Sequence, residues 1–219
     1  MKIDILTLFP EMFAPVCGVS ILKRALDKNL FGLEIINIRD IPDEEYRTAA
    51  ALQPDELKKR LENCKDADIK RTLAGRILLF KMIKRLYGRD SFEIKYNPNG
   101  KPLCDFCFFG ISHSGDFAAA AVSDKPIGID IQVPLGFKKR EKYMLFSPEE
   151  CGFVNAADSE NRFFTLWTMK EAYIKAEGGV LSDAAGLSLV GGGRLEAKLS
   201  GYHFETEKTD SYYLTVCYK

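Results

Sequence analysis

Several features are scarce or missing in these 219 residues, and each absence removes a class of protein. No sign of charge is in excess. The 31 lysines and arginines match 31 aspartates and glutamates, so net charge draws the chain toward neither nucleic acid nor an anionic membrane. No stretch approaches the roughly 18 uninterrupted apolar residues that a bilayer crossing needs. A secretory leader is not legible: Asp4 puts an acid early, and Pro10 and Glu11 cut the first apolar run short. The expectation is a soluble, cytoplasmic protein that engages no membrane and no nucleic acid. Histidine occurs only as His113 and His203. Six cysteines (Cys17, Cys64, Cys104, Cys107, Cys151, Cys217) are scattered through a chain too large to need disulfide staples, which suits a reducing compartment. Cys104 and Cys107 have C-x-x-C spacing, but no second pair completes a zinc ribbon. The pair also opens an apolar strand-like run rather than a helix, so two free thiols are expected.

What is present, 46% hydrophobic against 28% charged, suffices to bury a core as one domain or two small lobes. Residues 2–9 read as a strand, 11–28 as a helix with Met12, Val19, Leu22 and Leu26 inward, and 33–38 as a second strand. Pro54-Asp55-Glu56 opens a short basic helix. From Asp68 to Tyr87 apolar residues recur at helical spacing (Ile69, Leu73, Ile77, Phe80, Ile83, Leu86 with Tyr87) until Gly88. Asn97-Pro98-Asn99-Gly100 is a turn signal. Residues 106–112 and 117–122 read as a hairpin closed by His113-Ser114-Gly115-Asp116. A strand around Asp130, a short helix from Pro148, a long helix from Arg162 to Glu177 and a strand-rich tail complete the chain. Leu73-Ala74-Gly75-Arg76 can be laid on Trp167-Thr168-Met169-Lys170, which makes two α+β lobes, each with a short helix, a long helix and a few strands. In that alignment Ile77 takes the place of Glu171, so only the second lobe would carry a metal ligand on its helix.

In Ile127-Gly128-Ile129-Asp130-Ile131-Gln132-Val133 the apolar side chains alternate strictly. A strand therefore puts Asp130 and Gln132 on the opposite face, with Gly128 beside them. That face offers two oxygen donors and a glycine where a ligand could approach the backbone; it equally suits a strand with one solvated face. Trp167, Glu171 and Lys175 lie four apart and share one face of their helix, which alone could be an ordinary Glu–Lys pair. Taken together, two carboxylates on separate rigid elements with a lysine beside them suit Mg²⁺, which takes carboxylates, phosphate oxygens and waters at about 2.1 Å. Between Lys70 and Arg89 stand seven lysines or arginines and no acid, preceded by Lys58-Lys59-Arg60. This is either a solvated helix face or a phosphate-binding wall. Ser112-His113-Ser114-Gly115 adds amides, hydroxyls and an imidazole in a tight turn suited to a pyrophosphate.

These segments, with Asn99-Gly100-Lys101-Pro102 and Arg71-Thr72-Leu73-Ala74-Gly75-Arg76, stand in the order and spacing of one family. The chain resembles the surfactin-synthetase-type phosphopantetheinyl transferases, the two-lobed monomeric class, over roughly residues 33–219. The most specific matches are Gly128-Ile129-Asp130 and the Trp167, Lys170, Glu171, Ala172, Lys175 pattern. The resemblance implies an α+β fold of two similar lobes in pseudo-two-fold arrangement, each a small mainly antiparallel sheet packed with a long helix, and an active site between them. It divides the chain into a strand–helix extension (1–32), a first lobe (33–124) and a second lobe carrying the metal ligands (125–219). It implies transfer of 4′-phosphopantetheine from coenzyme A to a serine of an acyl or peptidyl carrier protein, releasing adenosine 3′,5′-bisphosphate. Carried over by position, Asp130, Gln132 and Glu171 would ligate magnesium, with Glu171 as base and Lys175 at the departing phosphate. Ser112 and His113 would hold the pyrophosphate, and Lys101, Thr72 and Lys59 the adenosine and 3′-phosphate. The alternative is a catalytically silent protein of the same fold that binds coenzyme A or a carrier protein.

Two departures stand out. Many members of that family have glutamate where this chain has Gln132, an amide that can ligate but adds no charge; Glu150 is a candidate to compensate. The first 32 residues, Met1-Lys2-Ile3-Asp4-Ile5-Leu6-Thr7-Leu8-Phe9-Pro10 onward, instead resemble the start of bacterial tRNA (guanine-N1) methyltransferases, a similarity that fades near Asp40. That family's glycine-rich cofactor loops do not follow, so methyl transfer is not expected. Phe137-Lys138-Lys139-Arg140 with Lys142-Tyr143 is either a docking strip for an acidic carrier protein or a solvated loop.

Overall fold

The computed structural model describes residues 2–7, 32–37, 41–134, 143–156 and 158–219. The helix expected at 11–28 and the basic strip at 137–142 lie outside them. Two four-stranded sheets organise the described chain. In the first, β2 (Gly32–Asn37), β1 (Lys2–Thr7), β6 (Phe117–Ser123) and β5 (Phe108–Ser114) lie side by side, with β1 parallel to β2 and antiparallel to β6. In the second, β10 (Lys198–Leu199), β11 (Tyr202–Lys208), β12 (Tyr213–Tyr218) and β7 (Ile127–Gln132) are antiparallel throughout. Short hairpins, β3 (Lys95–Tyr96) with β4 (Pro102–Leu103) and β8 (Val190–Gly191) with β9 (Arg194–Leu195), stand apart. This is the α+β mixture of helix and largely antiparallel sheet that the sequence implied.

Side-chain alternation sets the layers. In β6, Ala118, Ala120 and Val122 join the core under the long helix α3 (Asp66–Tyr87), while Phe117, Ala119 and Ala121 turn the other way. There they meet Ile127, Ile129 and Ile131 of β7 and Leu214 and Val216 of β12. A strand buried on both faces needs a continuous apolar run, which β6 has. The remaining face of β7 and β12 packs under α5 (Ser159–Glu177), where Trp167 and Phe163 stack with ring centroids 6.4 Å apart. The order through the molecule is helix, sheet, sheet, helix.

The details differ from expectation in places. The buried face of α3 is broader than the stripe read from the sequence: Leu78, Leu79 and Met82 are buried, whereas Leu86 is 44% exposed. Helix α1 (Asp43–Ala51) was not anticipated, because only Tyr46 and Ala49 of it are buried and no aliphatic periodicity marks it. Its Pro42 and the acids Asp43, Glu44 and Glu45 in the first turn are the start signal that could have found it. The short basic helix α2 (Asp55–Leu61) and the helix α4 (Pro148–Ala156) stand where expected. Strand β1 takes an inner place between β2 and β6.

Candidate active site

The polar face of β7 looks into α5. An added Cβ at Gly128 would lie 2.0 Å from the carbonyl oxygen of Ala172 and 2.6 Å from the amide nitrogen of Ala176. The sequence reading took this glycine as a place for a ligand to approach the backbone; what approaches is the helix itself. Gly110 on β5 plays the matching part on the other side, where a Cβ would come within 3.1 Å of the Ile129 amide nitrogen. These two close approaches press α5 and β5 against β7 from either side.

Asp130 sits where they converge, its side chain 1% exposed. Lys175 of α5 donates from Nζ to its Oδ1 at 2.5 Å, across 45 residues of sequence. Ser112 of β5 donates from Oγ to the same oxygen at 2.8 Å, and accepts from Lys175 Nζ at 3.0 Å and from the Ile131 amide at 3.2 Å. Gln132 donates from Nε2 to the other carboxylate oxygen, Oδ2, at 3.1 Å. A buried carboxylate is thus held by one full cation and two neutral donors, as burial of a charge requires.

Glu171 lies on the same face of α5. Three residues before it, Thr168 shares a 2.8 Å hydrogen bond with Thr215, which is paired in register with Asp130. Four residues after it, Lys175 touches Asp130 itself. The helical repeat puts the half-buried Glu171 on the face of α5 that carries these two contacts. Among the described residues no group of three or more histidines, cysteines and acids is placed to hold a metal. A dication here would rest on the Asp130 and Glu171 carboxylates and an amide, and take its remaining oxygens from substrate and water.

The other expected contacts divide. Thr72 of α3 and His113 of β5 come together, Oγ1 to Nε2 at 3.4 Å. His113 is open to solvent on its outer side, yet desolvation on its inner side, then the charges of Lys175 and Arg71, push its pKa below the usual 6.5. It is not a turn residue as expected. Ser112, His113 and Ser114 all belong to β5, and Gly115 and Asp116 alone make the turn, so Ser114 is free to accept the Val133 amide at 3.0 Å. Lys101 donates to the carbonyl of Ala176 at 2.6 Å, and burial lowers its pKa. Asn97 and Asn99 each donate to the carbonyl of Gly178 at 2.9 Å. The turn at 97–101 therefore caps the last turn of α5 from outside, a role the sequence did not announce. Lys59 is exposed on α2, and among the described residues no hydrogen bond or ion pair joins it to the cluster.

Further readings are corrected or decided. Glu150 cannot compensate for Gln132. It is wholly buried and bonded to Lys170 at 2.7 Å, to the Ser147 amide at 2.8 Å and to the Leu189 amide at 3.0 Å. Along α3 four of the cations in the basic run pair with acids at the surface, Lys70 with Asp43, Arg71 with Asp68, Lys81 with Glu45 and Lys84 with Asp90, as on a solvated face. Arg76 is instead buried against the Tyr96 hydroxyl at 3.0 Å. Cys104 and Cys107 are free thiols with sulfurs 3.3 Å apart, beside a cavity of about 330 Å³ lined by residues 101–109.

Comparison with known proteins agrees with this architecture. Residues 126–217 match the family model of the 4′-phosphopantetheinyl transferase superfamily, and residues 41–125 that of the 4′-phosphopantetheinyl transferase N-terminal region. The chain is 31% identical over 194 residues to 4′-phosphopantetheinyl transferase Sfp of Bacillus subtilis (strain 168), covering 80% of this chain and 85% of that one. It is 35% identical over 127 residues to 4′-phosphopantetheinyl transferase gsp of Aneurinibacillus migulanus, 54% of this chain and 52% of that one. The chain belongs to the 4′-phosphopantetheinyl transferase superfamily. It is an enzyme of that class. The start has a different likeness: residues 1–53 match the model of tRNA (Guanine-1)-methyltransferase, farther along than the resemblance read from sequence. Over 49 residues the chain is 53% identical to tRNA (guanine-N(1)-)-methyltransferase of Helicobacter pylori (strain J99 / ATCC 700824), 22% of this chain and 21% of that one.

Proposed function

We propose that the enzyme moves 4′-phosphopantetheine from coenzyme A to a serine hydroxyl of an acyl or peptidyl carrier protein and releases adenosine 3′,5′-bisphosphate, acting in the cytoplasm as a monomer. The observation that carries this reading is the buried Asp130 bonded to Lys175 and Ser112, with Glu171 on the same helix face. Mg²⁺ fits the donor set: a buried carboxylate, a second carboxylate one helical turn before its lysine partner and an amide, with too few acids for an all-protein cage. Asp130, Glu171 and Gln132 would hold it, and its chemistry is to neutralise charge on the diphosphate.

The chain's own groups then do the following. The carrier serine Oγ attacks the phosphorus that bears the pantetheine, and its proton passes to Glu171 as the new P–O bond forms. The bond to the bridging oxygen breaks, and the charge that collects on the departing phosphate meets Lys175. His113, whose pKa burial depresses, is placed to offer a hydrogen bond to the diphosphate. The two sheet-and-helix units are read as pseudo-two-fold relatives. In their alignment Arg76 matches Lys170, and both are buried cations on the two long helices. Residues 1–32 are read as an extension that adds β1 to the first sheet.

The test is mass spectrometry of an apo carrier protein incubated with coenzyme A and Mg²⁺. A gain of about 340 Da is expected for this metal-assisted transfer, lost in Glu171→Ala and Asp130→Ala variants that keep their fold. No gain across a panel of apo carrier proteins from fatty-acid, polyketide and peptide synthesis would overturn the reading.

A further inference from the structure

Resting on that reading of the metal site, we propose that Lys175 is an exchangeable internal cation. It holds the place on Asp130 that the dication must take, and the donor's diphosphate draws it away, so metal loads fully only once the donor is bound. The argument starts at one oxygen atom. Asp130 Oδ1 accepts from Lys175 at 2.5 Å and from Ser112 at 2.8 Å, while Oδ2 accepts from Gln132 at 3.1 Å. A metal at about 2.1 Å from that carboxylate and an ammonium nitrogen in contact with it would be cations within about 4 Å in a poorly solvated site, a steep repulsion. One must leave.

Lys175 is the group able to leave. Its side chain is 32% exposed, and among the described residues its bonds are to Asp130 and Ser112 alone, both at the tip of a long flexible stem. Asp130 is its one ion-pair partner among the described residues, and Glu171 one turn before it is committed to the metal in this reading, so an ammonium released from Asp130 needs another anion. The phosphates of the donor are the anions that the site is built to meet. No covalent bond changes in this step: the Asp130–Lys175 pair is exchanged for an Asp130–metal pair and a Lys175–phosphate pair. The lysine that steadies the departing phosphate is thereby delivered at the moment the metal arrives.

The experiment measures Mn²⁺ binding by electron paramagnetic resonance of the free ion, with Mg²⁺ as competitor and no donor present. It compares wild-type protein with Lys175→Met, Lys175→Gln and Asp130→Asn. Removing the lysine charge should tighten donor-free metal binding about tenfold or more. Adding coenzyme A should raise metal affinity more in the wild type than in either Lys175 variant. Equal or weaker donor-free binding in both Lys175 variants overturns the exchange. Asp130→Asn should lose binding; if it keeps wild-type affinity, the metal site itself is misplaced, a failure distinct from that of the exchange.

Discussion

Lys170 and Lys175 stand five residues apart on α5, each bonded to a buried carboxylate, Glu150 at 2.7 Å and Asp130 at 2.5 Å. Around Lys170 every donor is taken: beside its ion pair with Glu150, the ammonium turns its three N–H groups to the carbonyls of Leu145, Ala184 and Leu187, and Glu150 accepts two backbone amides. Both side chains are 0% exposed. Around Lys175 one partner is a hydroxyl, the other a carboxylate, and a third of the side chain faces solvent. The first pair ties α4, α5 and the segments at 145–147 and 184–189 into one block. The second rests on that block and can be exchanged. Chemistry of the same kind is structural where saturated and sealed, and reactive where one side is open.

The comparison breaks most sharply if the sealed pair is opened. Lys170→Met leaves Glu150 charged and uncompensated in the interior, and should cost about 3–5 kcal/mol of stability in denaturant unfolding. The double variant Lys170→Met with Glu150→Leu should recover only part of that, since it removes the buried charge but leaves three carbonyls and two amides without their partners. A single-variant loss below about 1 kcal/mol would mean the pair is not what holds the block together.

A smaller effect, aimed at the open pair, comes from Gly128→Ala. The new methyl would meet backbone, not a flexible side chain, 2.0 Å from the Ala172 oxygen. Helix α5 must then lift from β7. The expected cost is about 1–3 kcal/mol in stability, with transfer slowed tenfold or more, because misplacing Lys175 and Glu171 by about 1 Å costs rate steeply. An unchanged rate in a destabilised protein would show that this contact does not set the catalytic spacing.

The same residues show what was legible in the sequence. The strict alternation of Ile127, Ile129 and Ile131 gave the face of Asp130 correctly, because strand periodicity is a local property. What that face meets was not legible. The atoms that crowd Gly128 belong to Ala172 and Ala176, far along the chain, and a glycine that admits a helix looks in sequence like one that admits a ligand. Glu150 was misjudged for a related reason: several acids near a metal motif look alike, and only the fold shows which one is sealed against Lys170. The clamp of Asn97, Asn99 and Lys101 on the end of α5 hid behind an obvious turn signal. Local pattern found most of the elements, though not α1, and most of the cluster. Contacts between distant segments decided the roles.

The smallest expected effect sharpens the open pair. Gln132 now donates its amide hydrogen to Asp130 Oδ2 at 3.1 Å. In Gln132→Glu that donor becomes an acceptor, and two carboxylates face each other with Lys175 as the nearby cation. Without metal the change should cost up to about 1 kcal/mol of stability, the sum of a lost hydrogen bond and a like-charge contact. With metal the sign reverses, since a second carboxylate strengthens the attraction for a hard dication. Half-saturation of the transfer reaction should move to lower Mg²⁺ concentration, by several-fold and within about tenfold. Titrating Mg²⁺ against rate in both proteins decides the matter. An unchanged or higher half-saturation would mean that residue 132 faces Asp130 only as a hydrogen-bond donor, and that the metal draws on Asp130 and Glu171 without it.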